Sequence, residues 1–124
     1  MANAGKVTPK LSQVQRNKAV GDGVRDAIAL ERGTTRIEQN FRVTGGLRRM
    51  DVVAGTTGIE SKVGRTGLTS RVRQELARDL KILRSGQLDR IEWVFTKSPT
   101  TGKIGPTKAL EAILNKYEIP IIYR

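Results

Sequence analysis

Three ionisable residues lie close together in the middle of the chain, in segments that otherwise look like half-buried strands. Asp51 interrupts the apolar run at residues 50–53, and Glu60 and Lys62 lie two residues apart in the segment that follows. Side chains two apart on a strand share one face, so Glu60 and Lys62 are predicted to point the same way. A hairpin turn across residues 55–58 would bring Asp51 near both of them.

These residue types, in this arrangement, suit hydrolysis of a phosphodiester assisted by a metal ion. Asp51, Glu60 and the backbone carbonyl of Ser61 would offer the oxygen ligands that Mg²⁺ prefers, with Mn²⁺ or Zn²⁺ as substitutes. Such an ion would polarise the phosphate and help to generate hydroxide. Lys62 would partner the catalytic base by orienting the attacking water, or stabilise charge that develops on the phosphate. The alternative is a cross-strand salt-bridge ladder on a solvated face.

Composition excludes several other chemistries. The chain has 124 residues with no histidine and no cysteine, so His-based triads, His-paired ribonucleases, HNH-type nucleases, cysteine nucleophiles and thiolate zinc sites are ruled out. The net charge is +11, from 23 Lys and Arg against 12 Asp and Glu, which favours a polyanionic partner. Nucleic acid is the first choice and an anionic membrane surface the second. No apolar run approaches the length of a membrane span, so no stable membrane insertion is expected.

Apolar periodicity predicts an α/β fold, with a mixed sheet flanked by helices in the order α-β-β-β-α-β-α-β. The predicted helices cover residues 14–32, 68–83 and 107–117, with Thr69 as the cap of the second. Asp22 is an alternative start for the first helix, because the glycines on either side of it weaken the first half. The predicted strands cover residues 35–43, 48–54, 59–63, 90–96 and 119–123, and Pro120 predicts that the last is an edge strand or begins near the proline. Residues 1–15 are predicted to be a flexible tail or the end of a linker, and residues 16–124 a single domain.

Basic residues beyond the three are candidates for binding phosphate. Arg65 and Arg71 follow Lys62 closely in sequence and are predicted to contact phosphates. Lys97 precedes a Gly/Pro/Thr loop that could reach a substrate. The alternative for each is an ordinary charged or mobile surface.

The arrangement of Asp51, eight intervening residues and then Glu60-Ser61-Lys62 resembles the PD-(D/E)xK motif of restriction-endonuclease-like nucleases. The predicted helix before it and the Arg-rich helix after it fit the order of that core, so the resemblance covers roughly residues 20–97. Met50 stands where the motif has its proline. Residues 21–28 look like the opening helix of the C-terminal toxin domains of bacterial polymorphic toxins, including those of contact-dependent growth inhibition.

The resemblance has implications for the site and for the biology. It implies a further acid on the first helix, for which Asp22, Asp26 and Glu31 are candidates with the first two favoured, and it implies that Gln74 binds water or phosphate. It also implies a toxin that cleaves nucleic acid, tRNA rather than DNA, in a competing bacterium. Such a toxin would be secreted as the C-terminal part of a larger polypeptide, delivered to the target-cell cytoplasm and neutralised by a cognate acidic immunity protein.

Two alternatives remain open on the sequence. One is a DNA resolvase or repair nuclease with the same fold. The other is a basic nucleic-acid-binding module without catalytic activity.

Overall fold

The computed structural model describes residues 10–124. Its helices are α1 (Gln13–Glu31), α2 (Ser70–Ser85) and α3 (Lys108–Lys116). Its strands are β1 (Ile37–Val43), β2 (Gly46–Ala54), β3 (Thr57–Val63), β4 (Arg65–Thr66), β5 (Arg90–Thr96), β6 (Gly105–Pro106) and β7 (Ile121–Tyr123). The predicted α/β class and the order α-β-β-β-α-β-α-β are confirmed. The additions are β4 and β6, two residues each, which pair in parallel as a separate small sheet.

The main sheet has five strands in the order β1-β2-β3-β5-β7, and it is mixed. β1, β2 and β3 form an antiparallel meander, whereas β5 lies parallel to β3, and β7 parallel to β5. The two parallel connections run through α2 and α3, as parallel neighbours require a long crossover. Pro120 directly precedes the edge strand β7, as predicted, and its carbonyl accepts a hydrogen bond from the backbone N–H of Trp93 at 2.9 Å.

Helices cover both faces of the sheet and bury two apolar clusters. The larger cluster lies under α2 and α3 and contains the fully buried Trp93 and Phe95 of β5. The smaller cluster lies under α1 and contains Ile28, Ile59 and Val94. Alternate residues of the central strands therefore serve different cores, which explains why β5 reads as a nearly continuous apolar run. Within residues 10–124, no helix is both long and apolar enough to cross a membrane.

The first helix begins earlier than the glycines suggest. Ser12 caps α1 through a capping box, in which its side chain accepts from the backbone N–H of Gln15 and the Gln15 side chain accepts from the backbone N–H of Ser12. The alternative start at Asp22 is wrong, because the cap and the packing of Ile28 outweigh a cost of about 1 kcal/mol for each internal glycine. Residues 13–15, predicted as tail, belong to this helix. Residues 10–12 of the predicted tail precede the helix, and residues 1–9 lie outside the described residues. Thr69 caps α2 as predicted.

Two glycines on different elements predict opposite effects of the same substitution. A Cβ at Gly58 on β3 would lie 2.7 Å from Leu88 and 3.0 Å from Met50, both in the larger core, whereas a Cβ at Gly23 on α1 has open space within 4 Å. We expect Gly58→Ala to lower the free energy of unfolding by about 1 to 3 kcal/mol through overpacking. Gly23→Ala should raise it by about 0.5 to 1 kcal/mol. Urea denaturation of both variants measures the two changes, and equal changes would contradict the described packing.

Candidate functional site

Asp51 lies where the β2–β3 pair opens. Backbone pairing between these strands covers only residues 52–54 and 57–59. Beyond that point, the carboxylate of Asp51 accepts a hydrogen bond from the backbone N–H of Ser61 at 2.8 Å. The Asp51 carboxylate therefore takes the place of a backbone acceptor on β2. This hydrogen bond holds Asp51 beside Glu60 and Lys62.

The backbone around Asp51 departs from regular strand geometry. Met50 and Val52, which would share a face on a regular strand, pack into the two different cores on opposite faces of the sheet. Across from Asp51 on β1, Glu38 has a φ of +50°, in the left-handed region that residues other than glycine rarely adopt. The distortion explains how an acid within the apolar run reaches β3. Outliers of this kind cluster at functional sites.

Glu60 is a buried carboxyl group held between two cations. Its side chain accepts a hydrogen bond from Arg48 at 2.9 Å, and the same oxygen lies 3.4 Å from the Lys62 ammonium. Burial, reinforced by the adjacent Asp51 carboxyl, raises the pKa of Glu60 to about 7, although Arg48 and Lys62 act in the opposite direction. The carboxyl groups of Asp51 and Glu60 repel each other when both are ionised. A cation bound between them would relieve that repulsion.

Lys62 is a partly buried ammonium between two carboxylates. Its Nζ lies 2.7 Å from Glu75 on α2 and 5.3 Å from the ring centroid of Trp93. Burial alone would lower the pKa of Lys62, but Glu60 and Glu75 together raise it above the ordinary value. The side chain therefore stays charged at neutral pH. A charged ammonium group can donate a hydrogen bond to the attacking water or stabilise charge on the phosphate, so both predicted roles stay open.

A buried guanidinium ties the site to the helix above it. Arg48 on β2 is 5% exposed, and it donates from Nε to Asp79 at 2.7 Å and from Nη2 to Glu60 at 2.9 Å. The other Asp79 oxygen accepts from the indole N–H of Trp93 at 2.9 Å. This chain of hydrogen bonds joins β2, β3, α2 and β5. The orientation of Glu60 is therefore set by α2 as well as by its own strand.

Asp51, Glu60, Lys62, Glu75 and Arg48 line one open cavity of about 530 Å³ between β2, β3 and α2, called here the motif cavity. The predicted site residues that it brings together are Asp51, Glu60, Ser61, Lys62, Arg71 and Gln74. The other lining residues are Asn40, Leu47, Arg48, Arg49, Glu75 and Arg78. Carboxylates at the bottom and arginines on the flanking strand and helix form a site suited to an anionic ligand bound over a cation.

Two of the predicted phosphate-binding residues lie elsewhere. Arg65 lines a different groove, next to α1, and does not line the motif cavity. Lys97 is exposed at the end of β5 and does not line the motif cavity. The chain turns at Gly64 (φ +83°), which separates Arg65 from Lys62.

The predicted helix acids also lie outside the motif cavity. Asp22 and Asp26 form ion pairs with Arg25 on α1, and Glu31 pairs with Arg124 at 2.6 Å. The physical reason is that α1 packs on the face of the sheet opposite α2. The acid that the structure contributes from a helix is instead Glu75, from α2.

The donor set fits a hard divalent cation with few protein ligands. Among the described residues, no group of three or more Asp, Glu, His or Cys side chains is placed to hold a metal ion. Asp51 and Glu60 offer two carboxylates, and Mg²⁺ is commonly bound by one or two carboxylates with water and substrate oxygens completing the shell. Zn²⁺ prefers nitrogen and sulfur ligands, so Mg²⁺ or Mn²⁺ fits this pair better.

Sequence reasoning missed several residues of the site, above all Arg48, Glu75 and Asp79. Asp79 left a recognisable signal. It lies three residues from both Leu76 and Ile82, on the buried stripe of α2, and an acid on such a stripe requires a buried partner. Arg48 left a weaker signal, because it precedes the buried Met50 by two residues on the same strand.

Comparisons of the chain with protein-family models, with curated proteins and with solved structures found no match.

Removal of the Arg48 guanidinium tests the buried network. Arg48→Ala leaves two buried carboxyl groups, of Glu60 and Asp79, without their shared cation. We expect the free energy of unfolding to fall by about 3 to 5 kcal/mol. Arg42→Ala, an exposed arginine on the neighbouring strand, should change it by less than about 0.5 kcal/mol. Chemical denaturation measures both, and similar losses in the two variants would show that the network contributes little.

The buried Glu60 carboxyl also predicts a pH dependence of stability. Its pKa is raised from 4.5 to about 7 in the folded state, so its stabilising contribution is complete below the unfolded value and is lost as the pH rises through about 7. Relative to Glu60→Gln, which keeps a neutral side chain, the wild type should lose about 2 to 3 kcal/mol between about pH 5 and pH 8. Urea denaturation at both pH values measures this difference, and a constant difference would contradict the raised pKa.

Proposed function

We propose that this chain is a metal-dependent endonuclease that hydrolyses phosphodiester bonds of nucleic acid. The observation that carries the proposal is the convergence of Asp51, Glu60 and Lys62 in one cavity flanked by arginines. The motif resemblance and the net charge of +11 support the same conclusion. The absence of histidine and cysteine agrees with a mechanism that needs only oxygen ligands and an ammonium group.

Five residues of the cavity are assigned roles that their chemistry allows. Asp51 and Glu60, with the Ser61 carbonyl, would hold Mg²⁺ or Mn²⁺, and the ion would supply Lewis-acid polarisation of the phosphate. Lys62, kept charged by its two carboxylate neighbours, would stabilise the charge that builds up on the phosphate oxygens. Arg71 is 85% exposed and has a long, weak contact to Glu75 at 3.9 Å, so its guanidinium is available for a neighbouring phosphate.

The biological setting of the proposal comes from the motif resemblance. We infer a toxin domain delivered as the C-terminal part of a secreted polypeptide, with tRNA as its preferred substrate over DNA. A cognate acidic immunity protein would complement its positive charge. A DNA resolvase or repair nuclease would use the same cavity, and the substrate assay below separates the two.

A second candidate function is a basic nucleic-acid-binding module without catalytic activity. The observation that favours it is that the motif side chains form ion pairs with other residues of the protein. One Glu60 oxygen is shared by Arg48 and Lys62, and Lys62 is also bound to Glu75. These contacts are those of a structural ion-pair network, which would support the fold whether or not a metal binds.

The decisive experiment compares cleavage of total tRNA and of plasmid DNA by the wild type and by motif variants. With Mg²⁺ or Mn²⁺, the wild type should cut one substrate, and EDTA should abolish cutting. Asp51→Asn and Glu60→Gln remove a proposed metal ligand, and Lys62→Ala removes the stabilising charge. Each should lower the rate about 100-fold or more. Glu111→Gln, which removes an exposed carboxylate on α3, is the matched control and should keep full activity.

Metal binding itself has a readout that does not depend on turnover. Mg²⁺ should raise the melting temperature of the wild type, because a ligand that binds only the folded state stabilises it, and should have no effect on Asp51→Asn. Nucleic-acid binding without cutting, together with unchanged binding in the motif variants, would favour the non-catalytic module instead.

A further inference from the structure

A second cavity lies next to the motif cavity, on the α1 side of the sheet. It is a groove of about 430 Å³ between the first turns of α1, the chain around Gly64 and the loop at residues 98–103, and is called here the α1 groove. The lining residues that matter here are Arg16, Val63, Gly64, Arg65, Ser98 and Lys103.

The charge of the α1 groove is entirely positive among the described residues that line it. Arg16, Arg65 and Lys103 supply three cations, and no carboxylate lines the groove. Within residues 10–124, none of the three forms an ion pair, and the guanidinium of Arg16 instead donates to the neutral oxygens of Leu11 and Gln13. The motif cavity, in contrast, balances its arginines with Asp51, Glu60 and Glu75. The α1 groove is therefore the better site for an anion without a metal.

The backbone that carries two of these cations is held in place. Arg65 belongs to β4, which pairs with Gly105 and Pro106 of β6. Lys103 closes the loop before β6, because its carbonyl accepts from the backbone N–H of Ser98 at 2.9 Å. The Ser98 hydroxyl also accepts from the backbone N–H groups of Thr100 and Thr101, at 3.3 and 3.2 Å. The groove is thus built on a closed loop rather than on a loose one.

The two cavities meet along a single stretch of chain. Ser61 and Lys62 line the motif cavity, and Val63, Gly64 and Arg65 line the α1 groove. The three residue steps from Lys62 to Arg65 span at most about 10 Å even when fully extended. A single strand bound over Lys62 would need to extend by only a few nucleotides along this stretch to reach Arg65.

We propose that the α1 groove binds the sugar–phosphate backbone of the substrate strand beyond the phosphate that is cut. The proposal rests on the proposed function and names a second part of its substrate site. No aromatic side chain lines the groove among the described residues, so bases would not stack there, and we expect its three cations to contact phosphates. Arg65 is predicted from the sequence to bind phosphate. In this proposal it binds phosphate in the α1 groove.

The test measures nucleic-acid binding by the full chain in EDTA, which removes cutting from the measurement. Fluorescence anisotropy compares the wild type, the groove variant Arg65→Gln/Lys103→Gln, and the matched control Arg84→Gln/Lys108→Gln, which removes two exposed cations outside both cavities. On single strands of about 16 nucleotides, the groove variant should bind about tenfold more weakly, and its plot of log affinity against log salt should be flatter by about 1.4. Strands of about 4 nucleotides are too short to fill both cavities, and without metal the α1 groove is the better anion site, so the groove variant should lose affinity for them as well. The control should match the wild type on both lengths.

Several outcomes would overturn the proposal. Equal binding by the groove variant and the control on the long strand would assign the groove no role. Loss of binding to labelled polyglutamate with unchanged nucleic-acid binding would assign the groove to an acidic protein partner instead. The cleavage assay keeps the two proposals apart, since a wild type that binds through the groove but never cuts with metal would refute the nuclease and leave the groove in place.

Discussion

The buried guanidinium of Arg48 is the interaction on which the arrangement of the motif cavity depends. It joins Glu60 on β3 to Asp79 on α2, and Asp79 is joined in turn to the indole of Trp93 in the middle of the larger core. Buried charges are costly unless they are paired, so each group in this chain restricts the position of the next. The helix that carries Arg71 and Gln74 is held over the motif by the same contacts.

A second constraint acts on Asp51 from the opposite strand. The break in alternation on β2 and the left-handed backbone of Glu38 turn Asp51 towards β3, where its carboxylate replaces a strand-pairing partner for Ser61. The result places two carboxyls side by side, so Asp51 adds to the burial that raises the pKa of Glu60. Two carboxyls that lie this close, with lysine beside them, have the chemistry of a cation site more than that of a surface salt-bridge ladder.

The distribution of charge makes the two cavities electrostatically different. In the motif cavity, arginines surround carboxylates, so an anion there would be bound together with a cation. In the α1 groove, no carboxylate among residues 10–124 lines the cavity beside Arg16, Arg65 and Lys103, so a phosphate would need no cation there. An unbalanced net charge of +11 explains the attraction of a polyanion but does not distinguish these regions. The difference arises from which acids the fold brings to each one.

The sequence by itself determined the elements and the motif. Apolar periodicity, the Thr69 cap and the spacing of Asp51, Glu60 and Lys62 depend on residues close in the chain, where local geometry decides the outcome. Only the tertiary structure decided which distant residues join them. It placed α1 on the far face of the sheet, which excluded Asp22 and Asp26, and brought in Arg48, Glu75 and Asp79 through contacts across strands and helix. Such contacts follow from packing of whole faces, which local spacing does not encode.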